Sequence, residues 1–275
     1  MPDARGTFAS RKRIVVKIGS SSLTYDTGSI NINSIERFSR VISDLTNRGL
    51  QIILVTSGSV AFGRDMLKIK RSDNEHGLAE KQALAAVGQS RLMSMYSKFF
   101  MEYGHIAGQI LLTKDVTENG LSRVNALNTF NTLLENKVIP IVNENDTVST
   151  EGVGRLISYG DNDTLSAIVA VLTEAELLIN LSDQDGFYDK DPKENDDARL
   201  IKTVREITPE IENMASGAGS EMGTGGMKTK IMAAEIATGS GVDMVIANGG
   251  DPGVLYGILD GEDIGTLFLA KRADA

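Results

Sequence analysis

Ile14-Val15-Val16-Lys17-Ile18-Gly19-Ser20-Ser21-Ser22 is the stretch on which the reading of this chain turns. Its apolar residues are all β-branched, and such a run reads as a buried strand. The run leads into a lysine, a glycine and three serines. A lysine is costly inside a core, so Lys17 is expected where the strand emerges. Gly19 lets the backbone come close to a ligand, and the serines supply hydroxyl and N–H groups. Together they suit a strand-end loop that holds phosphate oxygens. An exposed lysine before an ordinary Gly/Ser turn has the same residues, so the choice rests on later segments of the chain.

A second segment repeats the arrangement. Residues 51–55 read as another apolar strand, and Thr56-Ser57-Gly58-Ser59 turns from it into a helix. N–H groups at such a turn can face an anion. Between the two strands, Asn33 is a candidate helix cap with Glu36 behind it. Ile35, Phe38, Val41, Ile42 and Leu45 then recur at helical spacing.

Further along the chain, residues 66–78 are polar and read as a surface loop. A long helix or helix pair is expected at 79–103, and helices at 121–136, 164–172, 231–238 and 253–260. Strands are expected at 105–112, 138–142, 176–181, 242–247 and 266–269. The methionines of 79–103 read as core filler. Strands alternating with helices predict right-handed crossovers and a largely parallel sheet covered on both faces. In such sheets ligands gather at the carboxyl ends of the strands.

Two further clusters fall at expected element ends. Asn143-Glu144-Asn145-Asp146-Thr147 follows one strand, and Gly160-Asp161-Asn162-Asp163 precedes one helix. Asp161 alone reads as an N-cap, which leaves Asn162, Asp163 and the first cluster unexplained. Such carboxylates and amides can bind an ammonium group, hold lysines in place, or coordinate a metal through water. Residues 217–230 are rich in glycine and carry Lys228 and Lys230 before a helix, a pattern that cradles phosphates.

The chain has 275 residues, 41% hydrophobic and 24% charged, with no linker or repeat, and is expected to be one domain over 11–270 behind a loose tail, 1–10. A net charge of −9 makes a general nucleic-acid face unfavourable. With no cysteine there is no disulfide, thiolate nucleophile or zinc-thiolate site. No secretory leader or membrane-spanning run is read, and a cytoplasmic protein is expected. His76 and His105 sit in no motif and read as structural. There is no G-x-x-x-x-G-K-[ST], and no complete G-x-G-x-x-G after a strand, which disfavours P-loop and dinucleotide folds. There remain Lys17 and Lys230, far apart in sequence and each beside glycines. Phosphoryl transfer needs positioning and charge stabilisation more than covalent help, and lysines supply both.

Lys17-Ile18-Gly19-Ser20-Ser21, Thr56-Ser57-Gly58-Ser59, Ala86-Val87-Gly88-Gln89, the two acidic clusters and Gly223-Thr224-Gly225-Gly226-Met227-Lys228-Thr229-Lys230 stand in this order over residues 13–269. In that order they resemble the amino-acid kinase family, and within it the branch that phosphorylates glutamate. The resemblance implies an α/β fold, a three-layer αβα sandwich with a mainly parallel central sheet. It implies transfer of the ATP γ-phosphoryl group to the side-chain carboxylate of L-glutamate, the first step of proline biosynthesis, with proline as feedback inhibitor acting through the loop between the acidic clusters. Magnesium is implied on the ATP phosphates rather than on a protein cage, and a homo-oligomer (dimer or tetramer) is implied too. Neither nucleic acid nor membrane is implied as a partner.

Carried over by position, Lys17 and Lys230 stabilise the moving phosphoryl group, and Asp163 orients them. Backbone N–H groups of Gly19 and Gly58 touch phosphate oxygens. Ser57, Asp146, Asp161 and Asn162 bind glutamate. Ser182, Asp183 and the segment Thr224, Gly225, Gly226, Met227, Lys228, Thr229 and Lys230 hold the nucleotide. Ser20 and Ser182 stand where the family often has threonine. Many members carry a further C-terminal domain, which this chain, ending at Ala275, is expected to lack. Other acceptors remain open within the family, as does a catalytically silent amino-acid sensor. The Asn/Asp clusters favour an acceptor with a free ammonium group.

Overall fold

The opening strand runs Arg13–Ile18, and its last five residues are all buried, Lys17 among them. The structure is a computed structural model that describes residues 4–69, 77–113, 116, 119–148, 162–217 and 226–271. In chain order the elements begin with a 3₁₀ helix (Ala4–Ser10), β1 (Arg13–Ile18), α1 (Ser20–Leu23), α2 (Ile32–Asn47), β2 (Gln51–Thr56) and α3 (Ser59–Leu67). Next come α4 (Leu78–Glu102), β3 (Ile106–Leu112), α5 (Gly120–Glu135), β4 (Val138–Glu144), α6 (Asn162–Leu172) and β5 (Leu177–Ser182). The chain continues with β6 (Thr203–Val204), α7 (Pro209–Gly217), α8 (Met227–Gly239), β7 (Asp243–Asn248), α9 (Val254–Leu259) and β8 (Thr266–Phe268).

These elements fall into two compact units, residues 18–160 and residues 1–17 with 161–275. One domain over 11–270 was the expectation.

In the unit of residues 18–160 the strand order is β3-β4-β2 and every pairing is parallel. α2 buries the apolar set read from the sequence: Ile35, Phe38, Val41, Ile42 and Leu45. Its cap is Asn31, not Asn33, because the Asn31 side chain accepts from the Ser34 N–H at 3.0 Å. α3 extends to Leu67, into the stretch read as loop. α3 and α4 cross where both present glycine. A Cβ on Gly63 would lie 2.0 Å from the Leu84 carbonyl oxygen, and one on Gly88 would lie 1.8 Å from that of Ser59. Gly88 thus has a packing reason, since only glycine permits this approach.

In the other unit the order is β1-β5-β7-β8-β6. β5 and β7 pair in parallel from Leu177 opposite Asp243 to Ser182 opposite Asn248. β8 runs antiparallel to β7 and parallel to the two-residue β6. The strands are therefore mainly parallel, as expected of the α/β class. Residues 4–10 differ from the loose tail expected of them. Arg5 is buried, and its guanidinium donates to the carbonyls of Ile264 (2.7 Å) and Lys202 (3.0 Å). Five donors on one planar fork can satisfy several carbonyls at once, which ties the terminus down. α7 was not anticipated. α8 starts four residues earlier than expected, so Lys228 and Lys230 lie on a helix and not in a glycine loop.

Candidate active site

Lys17, Asp163 and Lys230 come from three elements of one unit. Lys17 is the penultimate residue of β1, Asp163 the second residue of α6 and Lys230 the fourth of α8. Lys17 Nζ lies 2.5 Å from Asp163 Oδ1, and Lys230 Nζ lies 3.0 Å from Asp163 Oδ2. Asp163 is fully buried and both lysine side chains nearly so. Lys17 thus stands near the strand end, as expected, but buried rather than emerging: a buried ammonium is tolerated when a carboxylate pairs with it and contributes to its hydrogen bonding.

Each carboxylate oxygen also takes a neutral donor. The Asn180 amide Nδ2 donates to Oδ1 at 2.8 Å, and the Thr229 hydroxyl to Oδ2 at 3.1 Å. Burial alone pushes the Asp163 carboxyl up. The Lys17 and Lys230 ammoniums, with the hydrogen bonds from Lys17 and Asn180, outweigh it and hold the group well below the usual carboxylate range. Two cations on one anion leave this buried trio with net positive charge, which favours an anionic ligand.

The nucleotide-assigned residues divide. Thr229 joins Asp163 rather than only the loop, while also donating to the Gly226 carbonyl at 2.7 Å. Gly226 caps α8, Met227 is buried, and Lys228 points outward and is exposed. Ser182 ends β5, where its hydroxyl accepts from the Gln184 N–H at 3.1 Å, and Asp183 is exposed. Asn162 opens α6 and is half-buried. Asp161, Thr224 and Gly225 lie outside the described residues, as do His76 and most of the loop 148–160.

The remaining residues belong to the other unit. Gly58 stands before α3 with φ +106°, where a side chain would strain the backbone. Gly19 stands before the single turn of α1, and the Ser22 N–H donates to its carbonyl at 3.2 Å. Asp146 accepts from the Ser59 hydroxyl at 2.6 Å, which links Ser59 to a residue singled out from the sequence. Buried Asn143, inside β4, donates to Gln89 Oε1 at 2.8 Å. Gln89 closes the segment Ala86-Val87-Gly88-Gln89, so this motif now has a role: glycine sets the helix crossing and glutamine steadies the acidic cluster.

Sequence reasoning missed Asn180, and it quoted Ser59 and Gln89 only within their motifs, with no role for either side chain. Asn180 had a signal: it is the lone amide in Leu177-Leu178-Ile179-Asn180-Leu181, a strand that is otherwise apolar. Among the described residues no group of three or more His, Cys, Asp or Glu gathers as a metal cage. Asp163 already receives two ammoniums, an amide and a hydroxyl. The described residues do not fit a protein-held magnesium ion.

The amino acid kinase family model matches residues 12–248. Glutamate 5-kinase of Clostridium perfringens is 53% identical over 98% of this chain and all of its own length. Glutamate 5-kinase of Listeria monocytogenes is 48% identical over 98% of this chain and 97% of its own. The crystal structure of UMP kinase from Bacillus anthracis superposes with a TM-score of 0.61 at 17% identity, covering 95% of this chain and 97% of that one. At that identity the likeness speaks for the fold alone.

Proposed function

Because the chain belongs to the amino acid kinase family, we propose that it transfers the γ-phosphoryl group of ATP to the side-chain carboxylate of L-glutamate. The product is γ-glutamyl phosphate, and the step opens proline biosynthesis. A glutamate carboxylate oxygen bonds to the γ-phosphorus while the bond from that phosphorus to the β,γ-bridging oxygen breaks. ADP leaves with the electron pair.

One observation carries the chemistry: a buried carboxylate that receives a lysine ammonium on each of its two oxygens. The acceptor is already a carboxylate, with an ordinary pKa of about 4.3, so it carries no proton at neutral pH. No general base is needed, unlike transfer to a hydroxyl. Asp163 is a poor base in any case, since both its oxygens accept from donors. Its work is to orient. Lys17 and Lys230 are the groups that meet the charge spread over the moving phosphoryl group, and they bring two anions together. Backbone N–H groups at Gly19 and Gly58 are assigned to phosphate oxygens. Ser57, Asp146, Asp161 and Asn162 are assigned to glutamate, the carboxylates to its ammonium group. Ser182, Asp183 and residues 224–230 are assigned to the nucleotide, with magnesium arriving on the ATP phosphates. Proline is assigned as an inhibitor of the same step.

Hydroxylamine tests this reading, because it converts an acyl phosphate into a coloured hydroxamate. With ATP and magnesium, colour is expected from glutamate and not from N-acetylglutamate or aspartate, and added proline is expected to suppress it. Hydroxamate from another acid alone would move the acceptor while leaving the lysine roles standing.

A further inference from the structure

Asn180 is fully buried in β5, in a strand whose other residues from Leu177 to Leu181 are apolar. Its Nδ2 donates to Asp163 Oδ1 at 2.8 Å, on the same oxygen that receives Lys17. Its own Oδ1 is buried and has no hydrogen-bond partner among the described residues. An orphaned buried carbonyl costs stability, because it gives up its water and gains no partner. A leucine of similar shape would continue the apolar run without that penalty. A residue that breaks the local pattern at such a cost is expected where function requires it. The amide orientation comes from chemistry: facing an ionised carboxylate, the NH₂ side is attractive and the carbonyl side repulsive.

The donors on Asp163 also form a pattern. Oδ1 takes one ammonium and one amide, and Oδ2 takes one ammonium and one hydroxyl. Without Asn180, Oδ1 would lose its neutral donor and lean more on Lys17, and the carboxylate could turn toward whichever lysine moves with the nucleotide. We infer that Asn180 is a positioning residue for phosphoryl transfer, fixing the Asp163 carboxylate so that Lys17 and Lys230 stay on opposite oxygens during turnover. In this role it acts through Asp163, to which its amide donates. The inference rests on the preceding reading only in taking these lysines as the groups at the phosphoryl transfer.

The test compares Asn180→Leu and Asn180→Asp with the wild-type chain, alone and combined with Asp163→Asn. Turnover is read as ADP formed with whichever acceptor the wild-type chain uses, so a wrong acceptor overturns the preceding reading and not this one. Asn180→Leu is expected to lower kcat about tenfold to a hundredfold, with the KM for ATP and for the acceptor each within about twofold. Asn180→Asp, similar in shape but repelling Asp163, is expected to be slower still. In the Asp163→Asn background the effect of Asn180→Leu on the melting temperature is expected to vanish, since the two act as one unit. Unchanged kcat in Asn180→Leu, or losses that stay additive with Asp163→Asn, would overturn the inference. So would a wild-type chain that forms ADP with no acceptor.

Discussion

Lys17 Nζ lies 2.5 Å from Asp163 Oδ1, joining the end of β1 to the first turn of α6 inside the protein. The pair is stable there because Lys230 and two neutral donors complete it. Removing the anion is therefore worse than removing a cation. Asp163→Ala leaves two buried ammoniums without their partner and is expected to cost about 3–5 kcal/mol in urea unfolding. A loss below about 1 kcal/mol would contradict the arrangement.

The same carboxylate sets an acid limit. Its folded pKa lies below its unfolded value of about 3.9. Its contribution to stability is therefore complete above the unfolded value and is lost as pH falls through the folded one. Melting temperature against pH should show the advantage of the wild-type chain over Asp163→Asn constant from about pH 7 to 5, then shrinking below about 4. An advantage that fades near neutrality would assign the group wrongly.

Lys230→Met keeps an apolar stem and leaves Lys17 and Asp163 as a neutral pair. The fold should persist, with an unchanged circular dichroism spectrum. Turnover should fall by about a hundredfold or more, in line with loss of one donor to transition-state charge. Activity near that of the wild-type chain would remove Lys230 from the mechanism.

Gly88→Ala places a methyl where only 1.8 Å separates it from the Ser59 carbonyl oxygen, and backbone cannot yield cheaply. Overpacking of this kind costs about 1–3 kcal/mol or more. The shift also reaches Ser59, which holds Asp146. A lower melting temperature together with a raised KM for glutamate is expected. A stable variant with unaltered KM would separate the helix crossing from the site.

Ser59→Ala removes only the hydroxyl that donates to Asp146. Initial rates should show a KM for glutamate raised several-fold and a KM for ATP left in place. An effect confined to ATP would place Asp146 elsewhere in the reaction.

Much of this was legible in the sequence because burial in parallel sheets demands continuous apolar runs. Residues 14–18, 51–55 and 177–181 could be little else. The helix at 32–47 is equally plain from its apolar spacing, though its cap is Asn31 and not the Asn33 read from the sequence. The burial of Lys17 was not legible, since a single chain shows the cost of the lysine and not the carboxylate that offsets it. Antiparallel β8 is too short to announce its direction. Lys230 was expected in a loop because α8 begins inside a glycine-rich run. Asn180 and Gln89 act through neighbours distant in sequence, and such pairs leave only a polar residue in an apolar stretch as their mark.

The most direct test of phosphoryl transfer to a carboxylate uses glutamate labelled with ¹⁸O in its side-chain carboxyl group. Attack by that oxygen on the γ-phosphorus makes it the bridging atom of the acyl phosphate. When the amino group then closes on the acyl carbon, phosphate leaves with the labelled oxygen. Phosphorus NMR should therefore show one ¹⁸O in each released phosphate from the wild-type chain, and no such signal from Lys230→Met. Unlabelled phosphate from the wild-type chain would mean that water, not glutamate, takes the phosphoryl group.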